Sequence, residues 1–177
     1  MIASILIGIS LSLDCFAISI SQGIKNSKDR LKGILTLAFL FTLFQCGMLV
    51  IGYFSGNFLS ESFEAITKWI SFLLLLWIGI RMVRESFEEE EEEDLPDNTK
   101  EYLLLSITTS IDALAAGFAL PQLQLDWKLT TIFVGLICLL FTLTGGFVGK
   151  KIGEKFGKKS EIVGGVILIG LGIKILL

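Results

Sequence analysis

Histidine is absent from this chain. Imidazole is the usual protein ligand of zinc, copper and nickel, so its absence argues against those metals. Cysteine is scarce. Cys15, Cys46 and Cys138 all sit inside apolar runs and form no CxxC pair. Neither a disulfide framework nor a thiolate cluster is indicated, and the three read as small apolar filler. No Walker-type glycine loop is present to bind ATP, so any uphill movement of a solute would have to draw on a gradient. A basic start followed by a small-residue cleavage site is also missing. The first apolar run is therefore expected to be a retained helix. No enzyme, no permanently bound cofactor and no nucleic-acid partner is expected.

What fills the chain is apolar. Of 177 residues, 53% are hydrophobic, and the mean hydropathy is +0.74. That balance is the mark of membrane spans, and a lipid bilayer is the expected surroundings. Six apolar segments stand out, at about 2–24, 33–55, 66–83, 102–120, 129–149 and 162–177. Most approach the ~20 residues a helix needs to cross a bilayer. The third and sixth are short and would rely on local thinning or on snorkelling of Arg81 and Lys174. The expected fold is all-α, a polytopic membrane protein with six transmembrane helices.

Charge sets the expected orientation. The segment "ESFEEEEEEDLPD", 85–97, carries nine acidic residues and no basic one. It reads as a solvated linker. Without it, nine acidic residues face fifteen basic ones, a balance of +6. The loops after the first, third and fifth segments hold twelve of the fifteen basic residues. By the excess of Lys and Arg on cytoplasmic loops, both termini are expected outside and the acidic linker inside.

Two apolar runs keep a carboxylate. "SLSLDCFAIS" sets Asp14 in the middle of the first segment, and "TTSIDALAAG" sets Asp112 in the middle of the fourth. Ser10/Thr108, Ser12/Ser110, Leu13/Ile111, Asp14/Asp112 and Ala17/Ala115 align at an offset of 98, and "GIR" at 79–81 echoes "GIK" at 172–174. Each half has three segments, an odd number, so two copies of one design would insert in opposite senses. The expected organisation is two inverted three-helix repeats, 1–84 and 102–177, joined by an acidic linker, 85–101. Transporters of this kind place their site at mid-membrane between the halves. A charged side chain at that depth costs on the order of 2.5–3.5 kcal/mol, which makes a packing role alone implausible for two. Small residues beside each carboxylate leave room for an ion. The candidate metal ligands are Asp14 and Asp112, with oxygens from Ser10, Thr108 and the Gln45 amide. Such oxygen donors suit a hard divalent cation, and do not by themselves separate Mn²⁺, Mg²⁺, Fe²⁺ and Ca²⁺. Two carboxylates emptied of metal would repel, so a proton is the expected exchange partner. Gly145, Gly149, Gly153 and Gly157, echoed by Gly52 and Gly56, read as helix-packing positions.

The stretches "SLDCFAIS", "FLFTLFQCGMLVIGY", "WISFLLLLWIGIRMVRE", "TSIDALAAG" and "GKKSEIVGGVILIGLGIKIL" together resemble the MntP-type manganese efflux pumps, grouped with the LysE-type exporters. The resemblance spans most of the chain apart from the acidic linker. It implies export of Mn²⁺ as transported substrate across a bacterial inner or plasma membrane, with Asp14 and Asp112 as functional residues. Some relatives carry Glu where this chain has Gln45, which alters the charge expected at the site. A homodimer is compatible with the sequence. Two other readings stand beside this one: export of a cationic amino acid, and a non-transporting membrane scaffold of the sporulation-associated branch.

Overall fold

A computed structural model describes residues 1–24, 30–62, 64–85, 87, 99–152 and 155–176, and helices are the regular elements among them. They are α1 (Ile2–Ile24), α2 (Arg30–Ser62), α3 (Glu64–Glu85), α4 (Thr99–Thr109), α5 (Ile111–Ala119), α6 (Trp127–Ile152) and α7 (Lys155–Leu176). Each of the six expected segments is helical, and the fourth is built from two helices, α4 and α5. Most of the acidic linker, the basic residues Lys25 and Lys28, and Gly153 lie outside the described residues.

Length and composition single out four spans among the described residues: Ile2–Gly23, Arg30–Leu59, Lys100–Ala119 and Trp127–Gly149. The apolar part of α7 is shorter, Gly165–Ile175. Most helices outrun their apolar segments. At 33 residues, α2 is about 50 Å long, well beyond a ~30 Å hydrocarbon core. Backbone hydrogen bonding continues into the polar flanks, where side chains reach water.

The surface and interior are arranged as lipid demands. Leu35, Phe39, Leu43, Ile51, Phe54 and Phe58 form one exposed stripe along α2, and Trp69, Leu73, Trp77 and Ile80 form another along α3. The interior carries the polar groups. Ser4, Ser10, Ser12, Ser19, Gln22, Gln45, Ser106, Ser110, Asp112 and Thr142 are all buried. A water-soluble bundle would reverse that distribution. Within a bilayer, outward apolar stripes meet lipid and inward polar groups meet one another.

Helix pairing follows the glycines. α1 packs along α6 and α7, α2 along α5 and α6, and α3 along α7. Gly145 and Gly149 of α6 lie against the Phe16 and Ile20 carbonyls of α1, and Gly52 and Gly56 of α2 lie against the Leu114 and Phe118 carbonyls of α5. Phe16 to Leu114 and Ile20 to Phe118 are steps of 98, the offset that aligns Asp14 with Asp112. Gly52 to Gly145 and Gly56 to Gly149 are steps of 93, as are "GIR" to "GIK". The same contact thus occurs twice, each time between a helix of 1–84 and one of 102–177, with the glycine and carbonyl sides exchanged. At the far end of α5, Pro121 stops the helix. The chain turns through Gln124, whose φ is 54°, and Asp126 Oδ1 caps α6 by accepting from Leu129 N at 2.8 Å.

A methyl group at Gly52 or Gly149 would collide with a facing backbone carbonyl, whereas one at Gly47 would meet nothing within 4 Å. Gly52→Ala and Gly149→Ala are each expected to destabilise the protein by about 1–3 kcal/mol. Gly47→Ala should be neutral. Thermal unfolding of the detergent-purified variants checks this, and equal melting temperatures for all three would remove close glycine packing as the basis of pairing.

Candidate functional site

The site begins with a run of hydroxyls. Ser106, Thr108, Thr109 and Ser110 each donate to the carbonyl four residues back: Tyr102 at 2.7 Å, Leu104 at 2.9 Å, Leu105 at 2.8 Å and Ser106 at 2.7 Å. Hydroxyls that bond back in this way compete for the helical carbonyls and bend the helix. The bend falls at the end of the run. Ser110 has φ −89° and ψ 0°, between α4 and α5. Its N–H is shared between Ser106 O and Ile107 O, both at 3.2 Å, and the ladder resumes with Leu114 N on Ser110 O.

Asp112 stands in the first turn of α5, where the helix dipole favours a negative charge. It is 5% exposed. Arg81 of α3 places Nη1 3.8 Å from its Oδ1. This is an ion pair slightly too long for a direct hydrogen bond. The guanidinium also lies 6.0 Å from the centre of the Trp77 ring. The side chain therefore reaches inward, where the sequence reading has it snorkelling toward the membrane surface. An arginine in place of water explains how the carboxylate is kept at this depth.

Asp14 is half-buried in the unbroken α1. Gln45 of α2 is 1% exposed and is tied to the turn of α1 that ends beside Asp14: its Nε2 donates to Leu11 O at 2.9 Å and lies 3.8 Å from Cys15 Sγ. Ser10 is buried one turn before Asp14. Thr108 is different. It is exposed, and its hydroxyl turns back onto α4. The buried hydroxyls of that helix are Ser106 and Ser110. α1 and α5 touch lightly and share a core in which Ile7 and Leu11 pack with Ala113, Ala116 and Ala119. The small residues expected around Asp112 are thus in place, with Ala115 and Ala116 buried.

Among the described residues, no three acidic or cysteine side chains converge closely enough to hold a metal. A cation held here would need two carboxylates from different helices plus neutral oxygens. A cavity of about 210 Å³ between α2, α3 and α5 borders this region, but its lining of Gly52, Leu74, Trp77, Ile78, Leu114 and Phe118 is apolar. It suits lipid chains rather than an ion. Sequence reasoning missed two residues here. Arg81 offered a signal, a cation inside "WIGIRMVRE", but its partner on another helix is not legible there. Ser110 offered the hydroxyl run.

Residues 28–176 match the family model Mntp, described as "Putative manganese efflux pump". A relative from Methanosphaera stadtmanae is 42% identical over all of this chain and 99% of its own length. Another, from Methanobrevibacter smithii, is 39% identical over all of this chain and 97% of its own. One from Nitratidesulfovibrio vulgaris is 41% identical over 96% of this chain and 87% of its own. All three are named as manganese efflux pumps of the MntP type. No solved structure matches the chain.

The Arg81–Asp112 pair should show as energetic coupling. Arg81→Gln leaves a buried carboxylate without its cation, while Arg81→Gln with Asp112→Asn leaves none. With Arg81 38% exposed, the coupling is expected at about 1 kcal/mol. A double-mutant cycle on the thermal stability of the four proteins measures it. Strict additivity would show that the two side chains do not interact.

Proposed function

The chain belongs to the manganese efflux pump family, a family of transporters and not of enzymes, and on that premise we propose that it exports Mn²⁺ from the cytoplasm through a mid-membrane site built on Asp14 and Asp112. The observation that carries this reading is Asp112 itself: a carboxylate 5% exposed inside an apolar bundle, beside an interrupted helix and held by an arginine. Interrupted helices at mid-membrane are a recurrent way for transporters to expose ion-binding groups. A residue that costs several kcal/mol to bury and still sits away from lipid is a functional group by default.

In this reading Asp14, Asp112, Ser10 and the Gln45 amide supply oxygen ligands, with water completing the shell that Mn²⁺ prefers. The bound ion neutralises both carboxylates, and Arg81 is displaced by the stronger divalent charge. After release, Arg81 returns to Asp112. Asp14 then lacks a metal and takes a proton, which makes proton exchange the natural coupling. Thr108, from its exposed position, contributes only after the helix around Ser110 rearranges.

The alternating cycle rests on two inverted halves, 1–84 and 102–177. The matched glycine–carbonyl contacts at offsets of 93 and 98 support this organisation. The charge balance supports termini outside the cell membrane and the 85–101 linker in the cytoplasm. The names of the relatives favour metal export over amino-acid export or a scaffold role.

Asp14→Asn and Asp112→Asn keep the side-chain shape and remove the charge. Each is expected to lower Mn²⁺ flux in proteoliposomes by at least about a hundredfold, a loss of some 2.8 kcal/mol, at unchanged membrane abundance. Arg81→Gln should bind Mn²⁺ more tightly and turn over more slowly, because it removes the internal competitor. Normal flux in either aspartate variant would overturn the two-carboxylate site.

A further inference from the structure

The three cysteines do not behave alike. Cys46 is half-buried on α2 and its thiol donates to Thr131 O at 3.7 Å. Cys15 of α1 and Cys138 of α6 are 1% and 0% exposed, both are free thiols, and their sulfurs lie 3.6 Å apart. The sequence reading of all three as apolar filler does not anticipate this contact, because 123 residues separate the pair. The approach is fixed by backbone. α1 and α6 meet through Gly145 and Gly149, so the thiols face each other across an interface too close to slide apart freely.

Polar atoms surround the pair. Gln45 Nε2 lies 3.8 Å from Cys15 Sγ and is anchored on Leu11 O. The Oε1 of the same amide is buried and accepts no hydrogen bond among the described residues. Thr42 and Thr142 flank the Cys138 thiol. A buried amide oxygen with unused acceptor capacity next to two thiols in contact is costly in a plain packing interface. Shape-filling alone would have been served by alanine or valine.

We propose that Cys15 and Cys138 form a binding site for a thiophilic divalent cation of the Zn²⁺ and Cd²⁺ class, with Gln45 Oε1 as an oxygen ligand. Two sulfurs bonded at ~2.3 Å to one tetrahedral ion stand about 3.8 Å apart. The observed 3.6 Å needs a shift of a few tenths of an ångström. A disulfide would instead need the sulfurs to close to about 2.05 Å and an oxidant to take two electrons. The binding step balances simply: two thiols and one divalent ion give a neutral bis-thiolate complex and two released protons. No net charge is left in the low-dielectric interior, so the site suits a soft cation and a buried position together. Mn²⁺, which prefers oxygen, gains little there. The site selects a different class of cation from the proposed aspartate site, although Cys15 directly follows Asp14 and both sites draw on the Gln45 amide oxygen. An ion bound here joins α1 to α6 beside the transport path and arrests any motion of one against the other.

The test uses the full-length protein purified in detergent and titrated with Cd²⁺. The readouts are the near-ultraviolet thiolate-to-cadmium absorption and the number of Cd²⁺ ions bound per chain. One Cd²⁺ per chain is expected, with the absorption band present. Cys15→Ser and Cys138→Ser should each abolish the band and weaken binding roughly tenfold or more. Cys46→Ser should keep both, and excess Mn²⁺ should produce no band. Asp14→Asn should also keep the band, which separates this site from the manganese reading. Absence of the band in the unmodified protein, its survival in Cys138→Ser, or its loss in Cys46→Ser alone would overturn the proposal. Cys46→Ser retains both site thiols, so one Cd²⁺ bound per chain with the full band in that variant supports the proposal, and no band there overturns it, even where the other serine variants do not fold.

Discussion

Close backbone contact at glycine is the constraint on which this bundle rests. Lipid tails are as apolar as the helices, so hydrophobic burial gives the helices little reason to pair. Packing and polar contacts must do it. Where Gly145 and Gly149 of α6 meet α1, and Gly52 and Gly56 of α2 meet α5, the absence of a side chain lets one helix lie on the carbonyls of another. Everything polar in the interior depends on that distance. Gln45 reaches Leu11, Thr130 donates to Ser4 at 3.0 Å, and Gln22 donates to Tyr102 at 2.9 Å, each across a helix boundary.

The second determinant is charge. An isolated carboxylate at mid-bilayer is unfavourable, and the chain answers with Arg81 beside Asp112. The pair is asymmetric. Arg81 is more than a third exposed and remains in contact with Trp77, while Asp112 is held inside. In the cycle proposed above, this is the cation that the divalent ion displaces and that returns after release. The half containing Asp14 is built differently. α1 runs unbroken past its aspartate, whereas α4 and α5 are separated two residues before theirs. On the inverted-repeat reading proposed above, that difference between equivalent positions is what alternating access requires: two copies of one design caught in unequal conformations.

The break at Ser110 shows how local chemistry and global packing combine. Four hydroxyls bonding backward loosen the helix, but the break costs little because α2 supports α5 through Gly52, Gly56 and Gly117. The nine residues of α5 would be too few to stay helical alone in water. Held by α2 on one side and by the α1 core on the other, they present Asp112 from a short, fixed stem.

Composition and periodicity alone determined a large part of this protein. Six apolar segments became the helical bundle because, in hydrocarbon, every backbone amide must be satisfied within its own segment. The aspartates stand out in the sequence for a related reason, since a charge in a 23-residue apolar run costs several kcal/mol to place. Tertiary structure decided what sequence distance conceals. Arg81 found Asp112, Cys15 met Cys138, and Thr108 faced outward while Ser110 faced inward. Those outcomes depend on which helix faces which, and at what height. Pairing of that kind is set by small residues and carbonyls meeting across an interface, and a chain read one helix at a time does not contain it.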